Sequence, residues 1–195
     1  MSGRVIPFPS RVGREPEFAI RGSALPEFRA AESVTFAVLS IEFRNLGSVQ
    51  DRLALDRCVN AALRPPAAAG ARVELAGTPG HPVVEARFEG DDAPAKAVRA
   101  AMSVVEAVRD VSRRRFAPAG ALVQGRVSRS TGLRVIEGYP DRLVTGLRER
   151  AAPGQVLLGG PGWSRIRGLK APPASGIELV PGGATTPAFV LQELA

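Results

Sequence analysis

From Ser33 to Ile41 the chain leaves neither alternating set of positions polar. Val34, Phe36, Val38 and Ser40 fall on one side, and Thr35, Ala37, Leu39 and Ile41 on the other. A β-branched and aromatic run with so little polarity on either face predicts a strand buried on both sides, in the middle of a sheet. It continues into Glu42, Phe43 and Arg44 and turns through Asn45 to Gly47. Ligands of open α/β sheets bind beyond the carboxyl ends of the strands, so Ser40, Glu42 and Arg44 are candidate cleft residues.

Beyond this strand the period changes. Ser48 with Asp51 three residues on resembles a capping box, and Val49, Leu53, Leu55, Cys58, Val59, Ala62 and Leu63 make a broad apolar stripe. The pattern predicts a helix over about 48–64, stopped by Pro65 and Pro66. Cys58 lies on the stripe and reads as core rather than nucleophile. Arg72–Ala76 and Pro82–Phe88 flank Gly77, Thr78, Pro79 and Gly80, a β-hairpin with His81 at its edge. Asp91 and Asp92 offer N-caps, Pro94 suits a first helical turn, and Val98, Ala101, Met102, Val105 and Val108 share one face of a helix over about 93–115. Pro118 and Gly120 read as a connection, Ala121–Val127 and Leu133–Ile136 as strands, Pro140 as the start of a short helix bearing Leu143, Val144, Leu147 and Ala151, and Gln155–Leu158 as a further strand. Two last strands are expected at 177–180 and 188–194.

The order β, α, β, β, α, β is that of the ferredoxin-like arrangement. The expected fold is therefore α+β, a sheet of about seven strands extended at its C-terminal end, with the first two helices on one face. This is a superfold and names no function by itself. Residues 1–31, with Pro7, Pro9, Pro16 and Pro26 among charges and isolated Phe8, Phe18 and Phe28, read as a flexible tail ahead of a single domain over 32–195.

Composition narrows the setting. The single cysteine leaves no internal disulfide, which suits a reducing compartment. No apolar run approaches the roughly 20 residues of a membrane span, and the first ten residues lead into no signal-type apolar segment. The reading is a cytoplasmic protein. Of the net charge of +7, the excess lies in residues 91–134, with nine basic and four acidic side chains. Arg109, Arg113, Arg114 and Arg115 cluster there at a helix end, where cations complement the macrodipole. They read as a solvated terminus or, more sharply, as a basic patch for phosphate or an acidic partner. Only Phe116 is near, so the aromatic interleaving of nucleic-acid surfaces is missing and a nucleic-acid partner is not expected.

Leu147–Leu158, LRERAAPGQVLL, resembles the helix-to-strand junction of class III adenylate and guanylate cyclases, in which a leucine-bearing helix enters an Ala-x-Pro-Gly-Gln-hydrophobic turn. Arg167-Gly168-Leu169 followed by Phe189–Leu194 resembles that family's closing segment, Pro94–Val108 its alanine-rich helix, and Ser33–Gly47 its first strand. The likeness covers about residues 33–194 and concerns the scaffold.

The resemblance implies a site in which an Asp on the first strand and an Asp in the hairpin turn hold two divalent cations against a polyphosphate. Ser40 and Thr78 occupy those places here. The family's transition-state Asn and Arg fall at Arg142 and Gly146, and the lysine that recognises the base has no counterpart, since Lys96 is the first lysine of the chain. No catalytic residue and no metal ligand is therefore assigned, and no cofactor is expected. The implied function is a catalytically inactive cyclase-like domain serving intracellular signalling through regulation, dimerisation or nucleotide or partner binding, with Ser40, Glu42, Arg44, Thr78 and Arg142 lining the cleft. The alternative is a divergent purine nucleotide cyclase, a phosphorus–oxygen lyase using Mg²⁺ or Mn²⁺, that recruits Glu42, Glu85 or a partner chain. Such sites are built between two subunits, so the implied partner is a second copy or an intact cyclase-like chain.

Overall fold

A computed structural model describes residues 32–45, 52–113, 115–130, 133–137, 140–159, 163, 166–174, 177–178, 185–186 and 188–194. The expected tail, the capping box at Ser48 and Arg114 lie outside them. Strand β1 (Glu32–Asn45) is followed by α1 (Arg52–Ala68), β2 (Arg72–Thr78), β3 (His81–Glu89), α2 (Ala93–Ser112), β4 (Phe116–Ser130), β5 (Leu133–Glu137), α3 (Pro140–Arg150) and β6 (Val156–Gly159). Short strands β7 (Leu169–Lys170), β8 (Ile177–Glu178), β9 (Thr185–Thr186), β10 (Ala188–Val190) and β11 (Glu193–Leu194) complete the chain.

The main sheet runs β10-β6-β4-β1-β3-β2, with β5 added beside β4 to make seven strands. Its ferredoxin-like centre, β4-β1-β3-β2, is antiparallel throughout, while β6 joins β4 in parallel. β1 is thus central, as its double-sided apolarity requires. Ala37, Leu39, Ile41 and Phe43 face a core shared with Leu55, Cys58 and Val59 of α1 and Val98, Val104 and Val108 of α2. Alanines 93, 97, 100 and 101 are buried on α2, and their small side chains let it lie close to its neighbours. The other face of β1 carries Phe36 and Val38 into a second core with Ala119, Ala121 and Val123 of β4 and Val144, Leu147 and Ala151 of α3. The expected fold class holds: α1 and α2 share one face, and α3 covers part of the other.

Several boundaries differ from expectation for local reasons. Helix α1 runs through Pro65 and Pro66 to Ala68. Two prolines so near the end remove only two amide donors, and their carbonyls still accept from Ala69 and Ala71. Helix α2 stops at Ser112 because Arg113 adopts φ 48, a left-handed ending. Asp92 stands at its N-cap but pairs with Lys96 at 2.8 Å instead of capping. That hydrogen bond holds its carboxyl below the usual carboxylate range. Pro118 and Gly120 are not a connection but part of β4, opposite Phe43 and Ile41. The pairing with β6 begins only at Gly120, so no neighbouring strand needs an amide from Pro118. Of the two last expected strands, Ile177–Glu178 is strand, with 179–180 outside the described residues, and 188–194 divides into Ala188–Val190 and Glu193–Leu194.

Candidate functional site

Alternation along β1 places Ser40, Glu42 and Arg44 on the face opposite α1 and α2. Ser40 is fully buried, between Glu85 of β3 and Ala121 of β4 in register. Leu147 anchors α3 in the second core, and the next residue, Arg148, reaches across to the strands. Its Nη1 donates to Ser40 Oγ at 2.7 Å and lies 3.6 Å from Glu85 Oε1. Its Nε lies 3.3 Å from Glu42 Oε2 as a charge contact without hydrogen-bond direction. Ser40 Oγ in turn donates to Glu85 Oε1 at 3.4 Å.

Arg44 closes the cluster from the other side. Its Nε donates to Glu42 Oε1 at 2.7 Å, and its Nη2 donates to the carbonyls of Glu149 at 2.8 Å and Arg148 at 3.4 Å. These are carbonyls of the last turn of α3, which a cation both satisfies and complements. Two guanidinium groups and two carboxylates therefore balance, with the Arg148 side chain only 12% exposed. Charged groups this enclosed persist because each has a partner.

Beside the cluster lies an open cavity of about 590 Å³, bordered by Glu42, Arg44 and Arg148 and, from the hairpin, by Gly77, Thr78 and His81. Gly77 has φ +82, and a Cβ there would meet the carbonyl oxygen of His81, so the turn needs a glycine. Of the residues expected in the cleft, Ser40, Glu42 and Arg44 are brought together and Thr78 lines the same opening. Arg142 is exposed near the start of α3 and does not border the cavity. His81, expected as an exposed turn residue, is exposed and lies on the rim. Arg109 in the last turn of α2 and Arg113 and Arg115 just beyond it are exposed and do not border the cavity.

Arg148 is the residue that sequence reasoning missed. Val144, Leu147 and Ala151 define the buried arc of α3, and position 148 falls inside it, one turn from two of them. A charge on a buried arc needs a partner, and that was the available signal.

The donor set of the cleft fits a metal ion poorly. Glu42, Glu85 and the Ser40 hydroxyl are the donors a cation would meet, and all three already face guanidinium groups, so a divalent ion would stand against Arg148. Among the described residues no three His, Cys, Asp or Glu side chains converge as metal ligands. Cys58 is buried, which pushes its thiol above the ordinary range and makes it a poor nucleophile. No described helix is long and apolar enough to cross a membrane.

No protein-family model matches the chain, and no curated protein sequence matches it. Solved structures do. The adenylyl cyclase CyaB from P. aeruginosa is 15% identical, with a TM-score of 0.58 over 84% of this chain and 96% of that one. The guanylate cyclase domain of RhGC from Catenaria anguillulae, in complex with GTP, is 13% identical, with a TM-score of 0.58 over 85% and 100%. A dimeric guanylyl cyclase domain of the RhoGC fusion protein from Blastocladiella emersonii is 12% identical, with a TM-score of 0.59 over 83% and 98%. The chain therefore has the fold of class III adenylyl and guanylyl cyclase domains.

Proposed function

We propose that this chain is a catalytically inactive nucleotidyl-cyclase-like domain that works in intracellular signalling as a regulatory module, through dimerisation and binding at its cleft. The observation that carries this reading is Arg148. Its guanidinium lies between Ser40, Glu42 and Glu85, the group of oxygens nearest to where the resemblance would place cations. The chain supplies its own fixed positive charge there, and a single monovalent group cannot bring two phosphate-bound metals into line. Gly146, at the position of a transition-state donor, has no side chain to donate, and losing one such donor costs about a hundredfold or more in rate. A nucleotide complex and a dimeric form among the fold neighbours support nucleotide or second-copy binding as the retained property.

A second reading is favoured by one observation. Glu42 and Glu85 both point to the Arg148 guanidinium, so a divergent cyclase would gain two carboxylates if Arg148 left. The decisive experiment incubates the purified chain with ATP or GTP and Mn²⁺ and follows cyclic nucleotide by chromatography. No product is expected, while calorimetric titration with nucleoside triphosphates and cyclic nucleotides reports which ligand the cleft takes. Metal-dependent cyclic AMP or cyclic GMP that Glu42→Ala abolishes would establish the divergent cyclase instead.

A further inference from the structure

Strand β2 is the outermost strand at its end of the sheet, and among the described residues nothing pairs with its outer edge. Exposed edges are usually blunted by charged side chains, proline or a bulge. Arg72–Thr78 has no proline and stays in continuous register with β3, and its two charges, Arg72 and Glu74, are of opposite sign, so they do not repel a second β2 outright. Its charges are also arranged unfavourably for a lone subunit. Arg72 stands opposite Arg87 and Glu74 opposite Glu85, like against like. The counter-charges lie within each strand: Arg72 Nη2 is 2.8 Å from Glu74 Oε1, both exposed, and Arg87 Nε is 3.4 Å from Glu89 Oε1. On the opposite face of β2, Leu75 is 58% exposed.

We infer that β2 pairs antiparallel with β2 of a second copy, with the two-fold axis at Val73. This deepens the dimerisation proposed above and rests on it. In that register Arg72 faces Glu74 of the second copy, and Glu74 faces its Arg72. Each like-charged row then meets the opposite sign across the junction. On the other face Val73 meets its own symmetry mate, and Leu75 meets Ala71 of the second copy. The neighbouring registers fit worse. An axis at Glu74 stacks two carboxylates, and an axis at Leu75 sets Glu74 against Ala76 and leaves both charges unmatched. The product is one continuous sheet across two subunits.

The test uses the full chain. Light scattering is expected to give a dimer for the wild type. Arg72→Glu and Glu74→Arg alone each weaken association by about tenfold or more, because each turns two attractive pairs into repulsive ones. The double exchange Arg72→Glu with Glu74→Arg restores the dimer, which a fold defect does not do. The register has its own readout. Val73→Cys cross-links to a dimer on mild oxidation, as does Ala71→Cys mixed with Leu75→Cys, while Leu75→Cys alone does not. A dimer that survives Glu74→Arg and leaves Val73→Cys uncross-linked overturns this edge and leaves dimerisation standing. A monomeric wild type overturns both.

Discussion

Arg148 connects three elements through one planar group, and its removal is informative for that reason. Arg148→Ala leaves the buried Ser40 hydroxyl without its donor and Glu85 without its cation, while Glu42 keeps Arg44. Losing a hydrogen bond to a charged group and its partner's compensation costs about 2–3 kcal/mol, expected as a lower midpoint in urea unfolding. Arg148→Lys recovers only part of this, because an ammonium cannot address Ser40, Glu42 and Glu85 at once. At this scale the sequence was half legible. Ser40, Glu42 and Arg44 were found from alternation along a single strand, a local property. Arg148 was not, because the resemblance directs attention to positions 142 and 146, while the residue that enters the cleft is fixed by how α3 rotates on the sheet.

Strand β4 shows how an element's limits depend on its neighbours. Pro118 and Gly120 break local patterns and read as a loop, yet both lie in the ladder beside β1. Gly120 is there because Ile41 fills the space its side chain would need: a Cβ would meet the Ile41 Cδ1 and approach the Ser40 carbonyl oxygen to 2.8 Å. Gly120→Ala is therefore expected to destabilise by about 1–3 kcal/mol, as overpacking against backbone does, seen as a fall in Tm. The same logic explains α1, whose last turn tolerates two prolines that a local rule places after its end. Interior strands and helix periods were legible because burial imposes 2.0 and 3.6 repeats on the sequence. The boundaries were not, because they are settled by partners far along the chain.

At the scale of the molecule the sheet has two unlike faces. One is covered by α1 and α2. On the other, the second core joins α3 to β1, β4 and β6, and the cleft opens beside it where β1 meets the β2–β3 hairpin. The element order made this architecture legible, since β1 can be central only with β3 and β4 on its two sides, but the outer edge of β2, unpaired among the described residues, and its charge rows depend on the β2–β3 register and were not foreseen. The central placing of β1 also sets a timetable. As the chain leaves the ribosome, β3 follows after one helix and one strand, whereas β4 waits for the whole of α2 as well. Until then β1 offers newly made chain an apolar ribbon with one open side, the kind of surface that chaperones hold and that aggregates recruit. Chains halted after Ser112 are expected to sediment as aggregates or remain chaperone-bound, and chains extended through Ser130 to be released, a difference that translation arrested at successive lengths will read.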